Sequence, residues 1–338
     1  MNAKIAPPGK SIRRLFLLAS ALSVLSALLA AGCSKQSGSA TAPGASSGEK
    51  RTYRFVVIPK VVHPWFDKVN TGARAAAAML SEQTGHKFEI DYRAPQTADV
   101  VVQNEILERS IATRPDGIAF DLLDGEGNRA VLQEALNRKI PVILFDSEAP
   151  PGMQLSNVGS DYAVQAELAA ERLAKLLNYE GEVAIMQGVP TAPNHRRRAE
   201  VHREVFAKYP KMKVVAEGID NDDIETAQKE AARIISAHPN LRGWVSCDAA
   251  GPIGVGLAVK EAGKTGRILS VGLDDLAQLI QLIKEGVVES SSSSKPHMQG
   301  YWSVICLWLQ TQGITTPEKL DTGVSFITRD MTENYKDL

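Results

Sequence analysis

The chain has 338 residues, 38 Lys plus Arg, 39 Asp plus Glu, a formal net charge of −1, and 44 % hydrophobic against 23 % charged residues. That is the composition of a folded globular chain, and it excludes a disordered or collagen-like one. Near-neutral charge argues against a nucleic-acid partner, which calls for a basic face or a high pI. Three cysteines are too few for a disulfide scaffold or a zinc cluster, and the length fits two domains of ~150 residues each.

Residues 1–32 carry Lys4, Lys10, Arg13 and Arg14 and no acid, and an apolar run from Leu15 to Ala31 follows the last two. A basic start, an apolar stretch and small residues at its end make a secretory signal. The run sits near the lower limit of ~17–25 residues for a membrane span, so an anchor helix is the rival reading. Its end, Leu29-Ala30-Ala31-Gly32-Cys33, resembles a bacterial lipobox, with Ala30 where a leucine usually stands. The resemblance implies a lipidated Cys33 as the mature N-terminus, held to a membrane by several acyl chains. Losing residues 1–32 removes four cations and no anions, for a mature net charge of about −5. Residues 33–52, dominated by Ser, Gly, Ala and Thr, read as a flexible tether. The body is thus expected outside the cytoplasm on a lipid anchor. Cys247 and Cys306 read as separate buried thiols in preference to the single bridge that such a compartment permits.

Beyond the tether, strand and helix patterns alternate. Tyr53 to Ile58 is an apolar run fitting a buried strand, Trp65 to Thr84 has helical spacing, and Phe88 to Tyr92 alternates as a strand does. A helix over Val100–Thr113, a strand over Gly117–Phe120, a helix over Asn128–Arg138 and a strand over Pro141–Phe145 complete a first unit. The second unit runs helix 164–177, strand 182–186, helix 196–208, strand 213–216, helix 225–237, strand 244–246, helix 253–262, strand 268–271 and helix 276–284. A helix over Gln299–Gln312 and a strand around Val324–Ile327 follow. Such alternation implies parallel sheets covered on both faces.

In parallel α/β sheets, ligands bind where loops leave the carboxyl ends of strands. The residues there are Lys60, His63, Trp65 and Phe66 after the first strand, Asp121 after the third, and Asp146, Ser147 and Glu148 after the fourth. In the second unit they are Asn194 and Arg196-Arg197-Arg198, then Asp220 to Asp223, Asp248, and Asp274-Asp275. Carboxylates accept from vicinal hydroxyls, Arg and Asn donate to hydroxyl or ring oxygens, and aromatic faces cover the apolar side of a sugar. Asp223 and Asp275 read as helix caps instead, and two of the three adjacent arginines read as solvated.

These residues sit in blocks that resemble a family: the periplasmic sugar-binding proteins of ABC importers, ribose-binding-like, with two Rossmann-like lobes. The blocks are His63-Pro64-Trp65-Phe66 with Gly72-Ala73, Pro115-Asp116-Gly117-Ile118, Ile140 to Ile143 leading to Asp146-Ser147, and Val158 to Asp161. Ala237-His238-Pro239-Asn240-Leu241 and Val271-Gly272-Leu273-Asp274 continue them. Pro59-Lys60 and Asp146-Ser147-Glu148 are similar to the branch that binds rhamnose-like sugars or autoinducer-2. The resemblance implies an α/β fold of two lobes joined by three crossovers, near Gly159-Ser160, Ser294-Lys295 and Thr322-Gly323. The lobes would comprise 53–159 with 295–322, and 160–294 with 323–338. It implies ligand contacts from His63, Trp65, Phe66, Asp121, Asp146, Ser147, Arg198, Asp222, Asp248, Asp274 and Ser294. Lys60 either reaches the pocket or pairs with an acid at its rim. Ser147 stands where ribose binders carry Arg, and Asp222 where an aromatic is common, so ribose itself is a poor fit. The run Ser290 to Ser294 also reads as a polar strand and hinge.

The expected function is capture of a sugar, polyol or similar small molecule between closing lobes and delivery to an ABC transporter permease, by a monomer without cofactor or metal. Presentation of a ligand, autoinducer-2 included, to a membrane receptor is the alternative. An enzyme is the distant third: Gly251-Pro252-Ile253-Gly254-Val255-Gly256 lacks the lysine of a P-loop, with Pro252 better placed early in a helix. No Gly-x-Ser-x-Gly elbow occurs, and the six histidines show no metal spacing. A transcription regulator would need a DNA-binding helix pair where residues 1–50 hold a signal and tether.

Overall fold

The computed structural model describes residues 50–333 and Tyr335. The expected signal segment, Cys33 and the tether up to Gly48 and Glu49 lie outside the described residues. In chain order the first lobe supplies β1 (Thr52–Ile58), α1 (Pro64–Thr84), β2 (Lys87–Tyr92), α2 (Val100–Ala112), β3 (Gly117–Phe120), α3 (Arg129–Asn137), β4 (Val142–Phe145) and β5 (Ser156–Gly159). The second supplies α4 (Tyr162–Leu176), β6 (Glu180–Gln187), α5 (Pro193–Ala207), β7 (Lys211–Ile219), α6 (Ile224–Ala237), β8 (Leu241–Ser246), α7 (Gly251–Glu261), β9 (Leu269–Leu273), α8 (Ala277–Lys284) and β10 (Ser290–Ser293). The chain then returns for α9 (Pro296–Thr311) and β11 (Lys319–Asp321) and ends its strands with β12 (Ser325–Thr328).

Two six-stranded sheets result, ordered β2-β1-β3-β4-β5-β11 and β7-β6-β8-β9-β10-β12. The first is parallel throughout; in the second β12 alone runs antiparallel, against β10. The central strands are apolar because helices cover both faces of such sheets: β4, Val-Ile-Leu-Phe, is buried along its whole length. β5 and, at the sheet edge, β11 carry one large apolar residue each, Val158 and Leu320, so no apolar run announces them. Arg51 and Thr52 belong to the first sheet and not to the tether. Thr52 opens β1, and the Arg51 carbonyl accepts from the Lys87 amide at 2.9 Å.

Helix ends follow local chemistry. His63 caps α1, whose far end closes on Gly85 in the left-handed region, φ 73°. Asp223 caps α6, and Pro252 lies in the first turn of α7, as the sequence indicates. Asp275 is no cap: Leu276 holds that position for α8, and the Asp275 carboxylate instead accepts from Lys68 at 2.8 Å and from Ser293 Oγ at 3.0 Å. Cys247 and Cys306 are free and buried in separate clusters.

Helices α1 and α9 touch backbone to backbone. A Cβ on Gly72 would come within 1.9 Å of the His297 carbonyl oxygen, and one on Gly300 within 1.9 Å of the Val69 carbonyl oxygen. Neither backbone can yield as a flexible side chain would. Gly300→Ala should therefore destabilise the protein by about 1–3 kcal/mol, the usual cost of overpacking. Chemical denaturation checks this, and an unchanged midpoint would show that the helices can slide apart.

The three chain crossings between sheets meet at one atom. The Ser294 carbonyl accepts from Ser160 Oγ at 3.3 Å, Thr322 Oγ1 at 3.3 Å and Gln299 Nε2 at 3.0 Å. Ser160 and Thr322 belong to the other two crossings. Away from that hub the lobes also touch. One apolar cluster joins Trp65 and Phe66 to Ala249, Ile253 and Leu276 of the second lobe. Another joins Leu123 to Val189 and Ala192, and Thr191 Oγ1 donates to the Leu123 carbonyl at 3.2 Å.

Candidate ligand-binding site

Between the lobes, at the carboxyl ends of both sheets, lies a small polar cavity of about 20 Å³. That is room for about one water molecule, so a larger ligand enters only when the lobes part. Lys60, His63, Trp65, Phe66 and Asp146 line it from the first lobe. His195, Arg198, Asp222, Asp248, Ala249 and Asp274 line it from the second.

Asp146, Asp222 and Asp274 have left-handed backbones, at φ 48°, 60° and 70°. Asp146 and Asp274 directly follow β4 and β9, and Asp222 comes three residues after β7. Non-glycine residues rarely adopt this conformation, Asp and Asn most readily among them. Three carboxylates are thus held at the cavity by strained turns of the kind concentrated at functional sites.

Asp146 ties the two lobes together. Its Oδ2 accepts from Asn194 Nδ2 of the second lobe at 2.6 Å and from Lys60 Nζ at 3.5 Å. Arg198 lies 3.7 Å from its Oδ1. Arg198 is in turn aimed by its neighbours: Nε donates to Gln165 Oε1 and Nη1 to the Cys247 carbonyl, both at 3.1 Å. Its guanidinium lies over the Tyr162 ring, 5.2 Å from the centroid. Arg196 and Arg197 are exposed and pair with Glu200, and Arg197 with Glu204 as well, as expected of a solvated face.

Lys60 both lines the cavity and pairs with acids. Its Nζ is 3.1 Å from Asp121 Oδ2 and 5.6 Å from the Phe66 ring centroid. Burial alone would lower its pKa, but Asp121, Asp146 and Asp222 together push it above the ordinary lysine value. Burial raises the Asp121 carboxyl, with Lys60 acting against the shift.

Asp248 serves twice, lining the cavity and accepting from the amides of Ala250 at 3.0 Å and Gly251 at 3.3 Å at the start of α7. Burial and then Asp222 raise its carboxyl well above the usual range. Asp222 goes the other way: burial opposes it, but His195, Lys60 and His63 hold it below the ordinary value. Burial lifts Asp274 to about 6, with Arg198 opposing. Asp274 accepts from the Ser294 amide and hydroxyl, which links the cavity to the atom where the crossings meet.

Three of the sequence-derived contacts do not reach the cavity. Asp121 is wholly buried behind Lys60 as its counter-ion. Ser147 Oγ accepts from the Leu122 amide at 2.8 Å and donates to the Phe145 carbonyl at 3.1 Å, so it braces two loops. Ser294 belongs to the hinge, where Ser290 to Ser293 form the buried polar strand β10. Conversely, Asn194, which the strand-end reading named as a donor, sits beside the cavity, and His195 and Ala249, which it did not name, line it. The first two occupy the opening turn of α5 just after Pro193, the one available signal, since a helix start after a strand faces the ligand end of the sheet.

Two α/β lobes, three crossovers and a polar cavity between sheet ends define a two-lobe solute-binding protein. Residues 54–314 match the family described as the periplasmic binding protein domain, and the chain belongs to that family. It is 25 % identical over 305 residues to a xylose/arabinose-binding protein of Sulfolobus acidocaldarius, covering 85 % of this chain and 74 % of that protein. It is also 25 % identical over 276 residues to a D-ribose/D-allose-binding protein of Pseudomonas aeruginosa, covering 80 % and 85 %. Among solved structures, an ABC transporter solute-binding protein from Burkholderia graminis in complex with D-arabinose aligns with a TM-score of 0.78 at 29 % identity, over 85 % of this chain and 99 % of that one. These relatives carry the names of binding proteins, not enzymes.

Proposed function

We propose that this protein captures a monosaccharide or similar small polyol between its lobes and hands it to an ABC transporter permease. The observation that carries the reading is the cavity lining: carboxylates at three strained strand ends, Lys60 and Arg198 as cations, and Trp65 beside Phe66. A polyol offers hydroxyls that donate to the carboxylates and accept from the cations, while the rings cover its C–H face. The relatives named for xylose, arabinose, ribose and allose support the same class of ligand. Affinity for such a task is about micromolar, on the order of −8 kcal/mol.

The mechanism is hinge closure. The ligand touches both lobes only when they are shut, and that differential affinity shifts the population toward the closed form, which the permease then recognises. Lipid on Cys33 would hold the protein at an extracytoplasmic membrane face, so Cys33→Ser should release it from the membrane fraction or leave it unprocessed. The direct test is a thermal-shift panel of pentoses, hexoses, deoxysugars, polyols and autoinducer-2. A ligand at ~100 times its Kd should add ~2.7 kcal/mol of stability. No shift across the panel, on verified ligand-free protein, would overturn the sugar assignment.

A further inference from the structure

Two histidines line the cavity from opposite lobes. His63 stands at the head of α1. Its Nδ1 accepts from the Trp65 amide at 3.2 Å, and its buried Nε2 has no hydrogen-bond partner among the described residues. His195 stands in the first turn of α5. Its Nδ1 accepts from the Val189 amide at 2.9 Å, and its Nε2 lies 3.9 Å from Asp222 Oδ1. The seat of that ring is built: a Cβ on Gly188 would come within 2.5 Å of His195 Nδ1.

A backbone amide always donates, so each Nδ1 is a bare lone pair. In a neutral imidazole the proton must then sit on Nε2. Burial keeps both rings neutral, lowering His63 and, further, His195, against the pull of Asp222. Asp222 is the charge that acts most strongly on both rings, and its Oδ2 is buried with no hydrogen-bond donor among the described residues beyond the Asp248 carboxyl beside it.

We propose that His63 and His195 are fixed Nε2–H donors that, with the Asp222 carboxylate, read hydroxyl groups at one end of the ligand; this rests on the sugar reading above. A hydroxyl oxygen accepts from an imidazole N–H while its own hydrogen goes to Asp222. An ether or methylene in that place satisfies only one of the two partners or neither, which is how a site rejects an analogue lacking its hydroxyl.

Two imidazoles and a carboxylate are also the composition of a metal site, and the tautomers argue against that use. A metal-binding imidazole ordinarily donates its second N–H to an outer acceptor. Here the second nitrogen is itself the acceptor, so a metal on Nε2 would have to displace the ring's only proton. Among the described residues no group of His, Cys, Asp and Glu has the arrangement of a metal site.

The test uses His63→Asn, which keeps a good helix cap and loses the Nε2–H donor, and His195→Asn, which keeps an acceptor near the Val189 amide. By calorimetry with D-ribose, D-xylose, D-arabinose and D-allose, each variant should bind the sugar taken by the parent about tenfold or more weakly, with its melting temperature nearly unchanged. His195→Gln, whose amide nitrogen reaches toward the Nε2 position, should recover part of the loss. Long-range ¹H–¹⁵N spectra of histidine-labelled parent should show Nε2–H on both rings, undisturbed by equimolar Zn²⁺. Asn variants that bind as the parent does, an Nδ1–H ring at either position, or zinc binding to these rings would each overturn the proposal. If the parent binds none of the four, the same calorimetry is run with whichever member of the wider panel it does bind; if it binds none of those either, the sugar reading falls and the spectra alone decide the donor assignment.

Discussion

Asp146→Asn should lower sugar affinity about ten- to hundredfold while the protein stays folded. Asparagine keeps the side-chain volume and tolerates the left-handed backbone at this position better than most residues, so the turn after β4 survives. What changes is charge. The Asp146 carboxylate sits among Lys60, Arg198 and Asn194, and the last two belong to the opposite lobe. An amide offers one acceptor where the carboxylate offered two, the Asn194 hydrogen bond across the cleft ceases to be charge-assisted, and the ion pair with Arg198 is lost. Charge-assisted bonds are worth about 1.5–3 kcal/mol each, and 1.4 kcal/mol is a factor of ten. Calorimetry on the folded variant reads the effect. Parent-like affinity would mean that Asp146 only braces the lobes and takes no part in holding the ligand.

Lys60→Met should have the largest effect on stability, a loss of about 3–5 kcal/mol, the scale for removing one partner of a buried ion pair. Lys60 pairs with Asp121, which is fully buried 3.1 Å away, with Ser147 the other side chain that bears on its carboxyl. Without it Asp121 must be protonated to stay buried. A carboxyl whose folded pKa is raised favours the folded state at low pH and loses that contribution as pH rises through the folded pKa. Burial already lifts Asp121 to about 7 beside Lys60, so the deficit of Lys60→Met, followed by denaturant melts, should widen as pH rises above 7 toward 8 and be smaller and nearly level from pH 7 down to pH 5. Adding Asp121→Asn should remove most of the pH dependence and restore part of the stability. A single variant as stable as the parent at pH 8 would show that Asp121 is already neutral beside Lys60.

The parts of this architecture that were legible in the sequence are those where burial is symmetrical. β1, β3 and β4 are apolar on both faces, and α1 has helical spacing over its whole length, so run length and period suffice. β5 and β11 escaped because strands of three or four residues pair by their backbones, and each here carries only one large apolar side chain. β10 is four serines, all buried, so only its place between β9 and β12 makes it a strand.

The strand-end rule brought together the acids that line the cavity, yet it does not separate an acid that faces the cleft from one that serves a neighbour. Asp121 and Asp146 both follow apolar strands of the first sheet. The first is consumed by Lys60; the second turns to the cavity on a left-handed backbone, a feature of φ that no residue pattern reveals. Ser147 looked like a contact because of its neighbour, and it is spent on the Leu122 amide. His195 escaped because its role depends on the Val189 amide and on Asp222, one six residues before it and the other beyond β7.

The central claim is that the two lobes shut on a small sugar. Small-angle scattering, with D-ribose, D-xylose, D-arabinose or D-allose titrated into ligand-free protein, tests it most directly. At least one of these sugars should lower the radius of gyration in a saturable way, and Asp146→Asn should raise the concentration needed. Scattering curves that stay the same at saturating concentrations of every sugar would contradict it.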